Sequence, residues 1–208
     1  LQQGIPDNIE ALSPKQVHLI RSAYRVMGEK GTGNFSLQDV ADRAGVSKAI
    51  LPYYFGSKEN LILLTMRWVL TRVEERIRAA IAGATTAEGK VSAALDAIFV
   101  GPEANREFYL TYLDLLGYAA RVDSFGDVGV AFRDIINDLY ADIIRQGEKE
   151  GVFRVGEVEE AAATMRAIID GLFIQWVQER DWRKLHPRYR EVCKRSVLTY
   201  LRNGAGDV

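Results

Sequence analysis

An all-α fold is predicted by three features of the 208-residue chain. Apolar residues recur at helical spacing from one end to the other, and serines in capping positions and glycines punctuate these runs. Period-2 apolar alternation bounded by turns is almost absent.

The first helix opens at Ser13, with Pro14 in its first turn and Gln16 completing a capping box. Val17, Ile20, Ala23, Tyr24 and Met27 form its apolar stripe, and Gly31 and Gly33 stop it. The second opens at Ser36, with Asp39 reaching back to the cap, and runs through Leu37, Val40, Ala41 and Ala44 to Gly45. A third is expected from Ser47 to about Phe55, ended by Gly56. Ser57 then caps a long fourth helix to about Ala82, carrying Leu61, Leu64, Trp68, Val69, Val73 and Ile77. Five more follow, at about 86–100, Pro102–Val122, 125–149, 157–179 and Pro187–Arg202. The first unit closes near residue 56, which divides the chain into 1–56 and 57–208 with the fourth helix as the link.

Hydrophobic residues at 48% and charged residues at 26% suit a packed core and argue against long disorder. One cysteine, Cys193, and two separated histidines, His18 and His186, leave no zinc cluster and no disulfide framework. No metal or cofactor is therefore expected, and a reducing, cytoplasmic setting fits. No apolar run approaches the roughly 18 residues of a membrane span, and no signal peptide is visible in Leu1–Leu12. Gly28, Gly31 and Gly33 follow no strand and precede no Gly-Lys-Ser/Thr, which excludes a phosphate loop. The net charge of −1 is unevenly spread: residues 11–60 hold seven basic against four acidic side chains, a net of +3, leaving −4 elsewhere. Such a chain can meet nucleic acid with one end.

Within residues 36–55 a short capped helix, a glycine turn and a second short helix form a helix-turn-helix pattern, which an ordinary αα-hairpin would share. Ala41 is small enough for the second helix to cross closely, Gly45 can take the positive φ of a tight turn, and Val46 and Leu51 can seal the joint. Ser47, Lys48, Ala49, Ile50 and Tyr53 would then start a helix able to enter a major groove.

The stretch from Ser36 to Leu61 resembles the DNA-binding signature of the TetR family of bacterial transcriptional regulators. The specific elements are Gly45-Val46-Ser47-Lys48, Tyr54-Phe55 and Ser57-Lys58-Glu59. Residues Ile144–Arg154 and Ile169-Asp170-Gly171-Leu172 are more weakly similar to the end of the seventh and the middle of the eighth helix of that family. The resemblance implies a homodimer with paired helix-turn-helix heads and a ligand cavity in each C-terminal body. It also implies that Ser36, Ser47, Lys48, Tyr53 and Lys58 touch phosphates, with Tyr54 beside them and Phe55 in the core. The chain departs from the family at Pro52, which lacks the amide that would bond the Lys48 carbonyl and should leave the third helix kinked or short. Ala49 and Ile50 stand where a glycine and a polar residue are frequent, and both can meet thymine methyl groups.

In the body, Trp68, Phe99, Phe108, Tyr109, Tyr112, Phe132, Phe173 and Trp176 are either core or the wall of an effector pocket. Asp114, near Tyr112 and Leu115, is either a solvated carboxylate or a group that orients a cationic ligand among aromatic rings. Met165 and Ile169 on the eighth helix, with Tyr189, Val192, Cys193, Ser196, Val197 and Tyr200 on the ninth, are expected to pack against a two-fold mate. Recognition helices of the two copies would then lie about 34 Å apart, on a near-palindromic operator. No nucleophile–base pair is legible, so an enzyme is not expected, and a plain interaction module would not need the Ser47–Lys58 segment. The sequence thus predicts a repressor that leaves double-stranded operator DNA when a small-molecule effector binds.

Overall fold

The computed structural model describes residues 11–121 and 126–204, and of residues 126–133 the backbone alone. Among the described residues there are nine α-helices and no strand, as predicted. They are α1 Pro14–Lys30, α2 Leu37–Ala44, α3 Ile50–Phe55, α4 Lys58–Ala82, α5 Ala87–Ile98, α6 Pro102–Ala119, α7 Gly126–Lys149, α8 Val158–Val177 and α9 Trp182–Asn203.

Local chemistry explains most of these boundaries. Ser13 accepts the Gln16 amide at 3.3 Å, while the Gln16 side chain takes the Ser13 N–H at 2.9 Å, so the box at the head of α1 is complete. Thr86 caps α5 through the Gly89 amide at 3.1 Å, and Ser57 caps α4 through Asn60 at 3.1 Å.

Two boundaries differ from expectation. The third helix begins at Ile50, not Ser47, and has six residues. Residues 47–49 form a tighter turn, in which Ile50 N–H donates to Ser47 O at 3.1 Å and Leu51 N–H to Lys48 O at 3.2 Å. Leu51 thus satisfies the Lys48 carbonyl that Pro52 cannot serve, and Pro52 sits in the first turn, where its missing amide costs least. The last helix begins at Trp182, five residues before the expected start, and Pro187 lies inside it. The turn that precedes Pro187 is closed by the helix's own first bond, Leu185 N–H to Asp181 O at 3.0 Å, and tied to α8 by Trp176 Nε1–H, which donates to Trp182 O at 2.7 Å.

The chain forms two compact units, one of Leu1–Arg72 with Leu110–Val130, the other of Val73–Tyr109 with Ala131–Val208. Helices α4 and α6 each contribute to both. The N-terminal unit buries Leu19, Ile20 and Met27 of α1, Val40 and Ala41 of α2, Leu51 and Phe55 of α3, and Leu61, Ile62 and Met66 of α4. His18 Nε2–H donates to Ala44 O at 3.1 Å, which ties the end of α2 to α1.

The C-terminal unit is built on aromatic packing. Phe173 of α8 is stacked between Phe99 at 4.2 Å and Tyr109 at 4.0 Å, and Trp176 meets it edge-on at 5.8 Å. His186 completes the group, buried against Trp176 and pairing with Asn105 Oδ1 at 2.9 Å, while Asn105 Nδ2–H donates to Ile98 O at 2.8 Å. The oxygen of Asn105 can only accept, so His186 Nε2 carries the proton. Burial lowers the His186 pKa, with the neighbouring Arg190 charge second, and both favour the neutral ring. After α7 the chain folds Phe153 onto Gly147, where a Cβ would lie 2.0 Å from the ring; only glycine admits that approach.

Cys193 is wholly buried, and desolvation pushes its thiol up to about 12, with the charge of Asp170 adding to it. The native protein is therefore expected to leave its one thiol unmodified by a disulfide reagent at neutral pH and to expose it on denaturation. Rapid modification before unfolding would contradict this packing.

Candidate nucleic-acid interface

The turn between α2 and α3 is set by backbone geometry. Gly45 adopts φ 67 and ψ 36, the left-handed region that a Cβ disfavours. From there Val46 N–H reaches back to Ala41 O at 3.0 Å and Gly45 N–H to Asp42 O at 3.3 Å, the paired bonds of a Schellman stop. Ala41, fully buried beneath this turn, has the small side chain that a close crossing requires.

At the start of α2, Asp39 gathers three partners. Its carboxylate accepts the Ser36 N–H at 2.7 Å, the Ser36 hydroxyl at 2.8 Å and the Lys30 ammonium at 2.5 Å. The Lys30 bond, then those from Ser36, hold the Asp39 pKa down to about 2. Arg43 pairs with Glu29, a second link between α2 and α1.

The residues expected to meet DNA fall into two groups. Ser47, Lys48, Ala49 and Tyr53 are exposed and Ile50 is half-buried, so they form a continuous accessible edge across the turn and α3. Tyr53 is 62% exposed, unusual for a ring of its size, and stands edge-on to Tyr54 at 5.0 Å. Tyr54 is half-buried, with Lys15 Nζ 5.8 Å from its ring, and Phe55 is core. The second group is already engaged within the chain: the Ser36 hydroxyl proton goes to Asp39, and Lys58 Nζ donates to Gly33 O at 3.1 Å and sits 4.4 Å from the Phe35 ring.

The residues expected around an effector are divided between the units. Trp68 and Tyr112 belong to the N-terminal unit; the Trp68 ring is flanked by Arg21 at 5.5 Å and Arg72 at 5.6 Å, and its buried indole N–H has no hydrogen-bond partner. One turn earlier, Thr65 is another buried donor without a partner, missed because a lone threonine in an apolar helix gives no sequence signal. Asp114, also in this unit, is exposed, as the solvated reading of it has it, and accepts the backbone N–H of Thr32. Phe99, Tyr109, Phe173 and Trp176 are packed on one another in the other unit, with Phe108 edge-on to Tyr109 at 5.2 Å, while Phe132 is among the residues described by backbone alone.

The carboxylate among those aromatic rings is Asp170. Tyr109 O–H donates to it at 3.3 Å and Arg166 Nε–H at 3.3 Å. Burial raises its pKa, against the pull of Arg166. Of the residues expected to face a mate, Met165, Ile169, Cys193 and Val197 are enclosed in their own unit and cannot form an outer surface; Tyr189, Val192, Ser196 and Tyr200 are half-buried. Helices α8 and α9 pack on one another, and these buried side chains lie inside their unit.

A short capped helix, a left-handed glycine stop and a second short helix with an exposed basic start define a helix-turn-helix DNA-binding head. Comparison with known proteins identifies its kind. Residues 19–64 match the bacterial regulatory proteins of the tetR family, and residues 87–202 match the C-terminal domain of BetI-type transcriptional repressors. HTH-type transcriptional regulators BetI from Brucella suis and from Rhizobium meliloti are each 30% identical to the chain. The first match covers 76% of this chain and 77% of that protein; the second covers 76% and 75%. Among solved structures, a transcriptional regulator from Saccharomonospora viridis in complex with choline superposes with TM-score 0.77 at 23% identity, covering 91% of this chain and 96% of that one. A TetR regulator from Haloarcula marismortui gives 0.78 at 23%, covering 91% and 97%. The chain belongs to the TetR family of bacterial transcriptional regulators and has a BetI-type C-terminal domain. It is accordingly a transcriptional repressor, and its matched relatives are transcriptional regulators. No helix among the described residues is long and apolar enough to cross a membrane.

The head's architecture makes two outcomes measurable. Ser36→Ala should destabilise the chain by about 1 kcal/mol, read from denaturant midpoints at constant slope. Asp39 has a depressed folded pKa, so its contribution to stability is complete above the ordinary 3.8 and lost as pH falls through about 2. Lys30→Ala should move the Asp39 midpoint, followed by carboxyl NMR shifts, up toward 3.8; an unmoved midpoint would show that Lys30 is not the cause.

Proposed function

We propose that the chain, as a homodimer, holds a near-palindromic operator with two helix-turn-helix heads and releases it when a small organic cation binds the body. Residues 1–56 serve as the DNA-binding domain and 57–208 as the effector-binding and dimerisation domain, with α4 the link. The carrying observation is the accessible edge of Ser47, Lys48, Ala49 and Tyr53 that follows the Gly45 turn. Lys48 has the chemistry of a phosphate contact, whereas Ala49 and Ile50 offer methyl groups to thymine.

The mate-facing surface is assigned to side chains that the protomer leaves accessible: Ile174, which is 39% exposed, with half-buried Ile168 and Leu172 on α8 and Val192, Ser196 and Tyr200 on α9. The effector class is suggested by the relative whose structure holds choline. In this chain the matching chemistry is Asp170 with Tyr109 beside the Phe173 stack, a half-buried carboxylate next to aromatic faces, where an ammonium would compete with Arg166.

Three measurements test this. Lys48→Ala should weaken binding to all duplexes alike and lower the salt slope by about one unit per protomer. Ile50→Gln should instead change the sequences selected from a random pool; unaltered binding in both variants would remove this edge from the interface. Leu172→Glu should convert a sedimenting dimer to monomer and cost DNA affinity, and a stable wild-type monomer with full DNA binding would exclude the paired arrangement. Choline should raise the melting temperature of the wild type and loosen its DNA complex but do neither in Asp170→Asn; equal responses would place the effector elsewhere.

A further inference from the structure

We propose that Asp114 of α6 is a positioning residue for DNA binding: it fixes the turn Gly31–Asn34, and through that turn the ammonium of Lys58. The inference rests on the reading of Lys58 as a phosphate contact.

The residues involved all lie in the N-terminal unit. Asn34 N–H donates to Gly31 O at 3.2 Å and closes a turn around Thr32 and Gly33. Thr32 is wholly buried, and its backbone N–H is taken by the Asp114 carboxylate, 82 positions along the chain. A buried amide without an acceptor would be costly, so this bond selects one orientation of the turn. Tyr118, one helical turn beyond Asp114, lies under Gly33, where a Cβ would be 3.8 Å from its ring. The Gly33 carbonyl then points to Lys58 Nζ at 3.1 Å, and buried Phe35, two residues on, offers the same ammonium its ring face at 4.4 Å. A lysine carries many rotamers and loses them when it grips a phosphate. Held at the carbonyl and the ring, Lys58 has lost part of that freedom before DNA arrives, which favours binding. Asp114 needs no contact with DNA for this; it acts on the segment against which Lys58 rests. The same α6 supplies its earlier residues, Pro102–Tyr109, to the C-terminal unit.

Two substitutions separate this role from simple charge. Asp114→Asn and Asp114→Ala remove the same negative charge, which favours DNA equally in both, but only the alanine lacks an acceptor for the Thr32 amide. Each is made in the wild-type chain and in Lys58→Ala, unfolding midpoints are checked, and dissociation constants for a short mixed-sequence duplex are measured over a range of salt. The alanine variant is expected to bind about threefold more weakly than the asparagine variant, and the difference should vanish when Lys58 is absent, as a coupled pair requires. Amide exchange at Thr32 should be faster in Asp114→Ala than in Asp114→Asn. Equal binding by the two variants, or a difference that persists without Lys58, would overturn the assignment. If Lys58→Ala alone changed neither affinity nor salt slope, the phosphate reading itself would fail, and the positioning role would fall with it.

Discussion

The left-handed backbone at Gly45 is the constraint on which the head depends. It ends α2 after eight residues and delivers the chain to Ser47 in a single conformation, because the Val46 and Gly45 amides are both spent on α2 carbonyls. A side chain there would strain the turn, and relaxation of the turn would move every exposed residue from Ser47 to Tyr53. Other bonds in the head hold this geometry steady. His18 takes the last carbonyl of α2, Lys30 reaches the cap of α2 through Asp39, and Leu51 and Phe55 anchor α3 from below. Six residues would not form a stable helix alone; α3 exists because its apolar side is buried and its Pro52 stands where no amide is needed.

Legibility in the sequence followed the range of the interactions. The starts of α1 and α2 and the stop at Gly45 are decided by residues three to five positions apart, so the pattern alone located them. The start of α9 is decided by Trp176 and His186 packing in the core, and a proline that looks like a beginning is carried inside the helix. The same rule divides the sites. The exposed edge from Ser47 to Tyr53 follows a local motif, and the Ser36–Asp39 cap is legible three residues apart, whereas the hold of Gly33 on Lys58, 25 positions away, is not.

The body was less legible, because an aromatic residue at helical spacing reads the same whether it fills a core or lines a pocket. Phe173, sandwiched at about van der Waals separation by two rings, has the role of core. Periodicity likewise found the apolar stripe of α9 but could not say that Cys193 and Val197 would be used up inside the unit. Asp114 and Asp170 show the limit most clearly. Both are acidic residues on helices with aromatic neighbours in sequence, yet one is exposed and binds the amide of buried Thr32, and the other is half-buried beside Tyr109. Only long-range placement separates them.

Magnitudes limit how such a head can be switched. A hundredfold change in DNA affinity requires a coupling of about 2.7 kcal/mol. An exposed ion pair such as Arg43–Glu29 contributes about 0 to 1 kcal/mol, so breaking any single surface pair falls short. A switch of that size therefore has to act on several contacts together. The hydrogen-bonded turn at Gly45 suits this, since it joins Ser47, Lys48 and Ala49 to α2. Lys58 opens α4, a helix whose residues after Arg72 belong to the C-terminal unit, as do those of α6 before Leu110. A ligand that prefers one arrangement of these two helices can thus act on many weak contacts at once, and only to the extent of that preference.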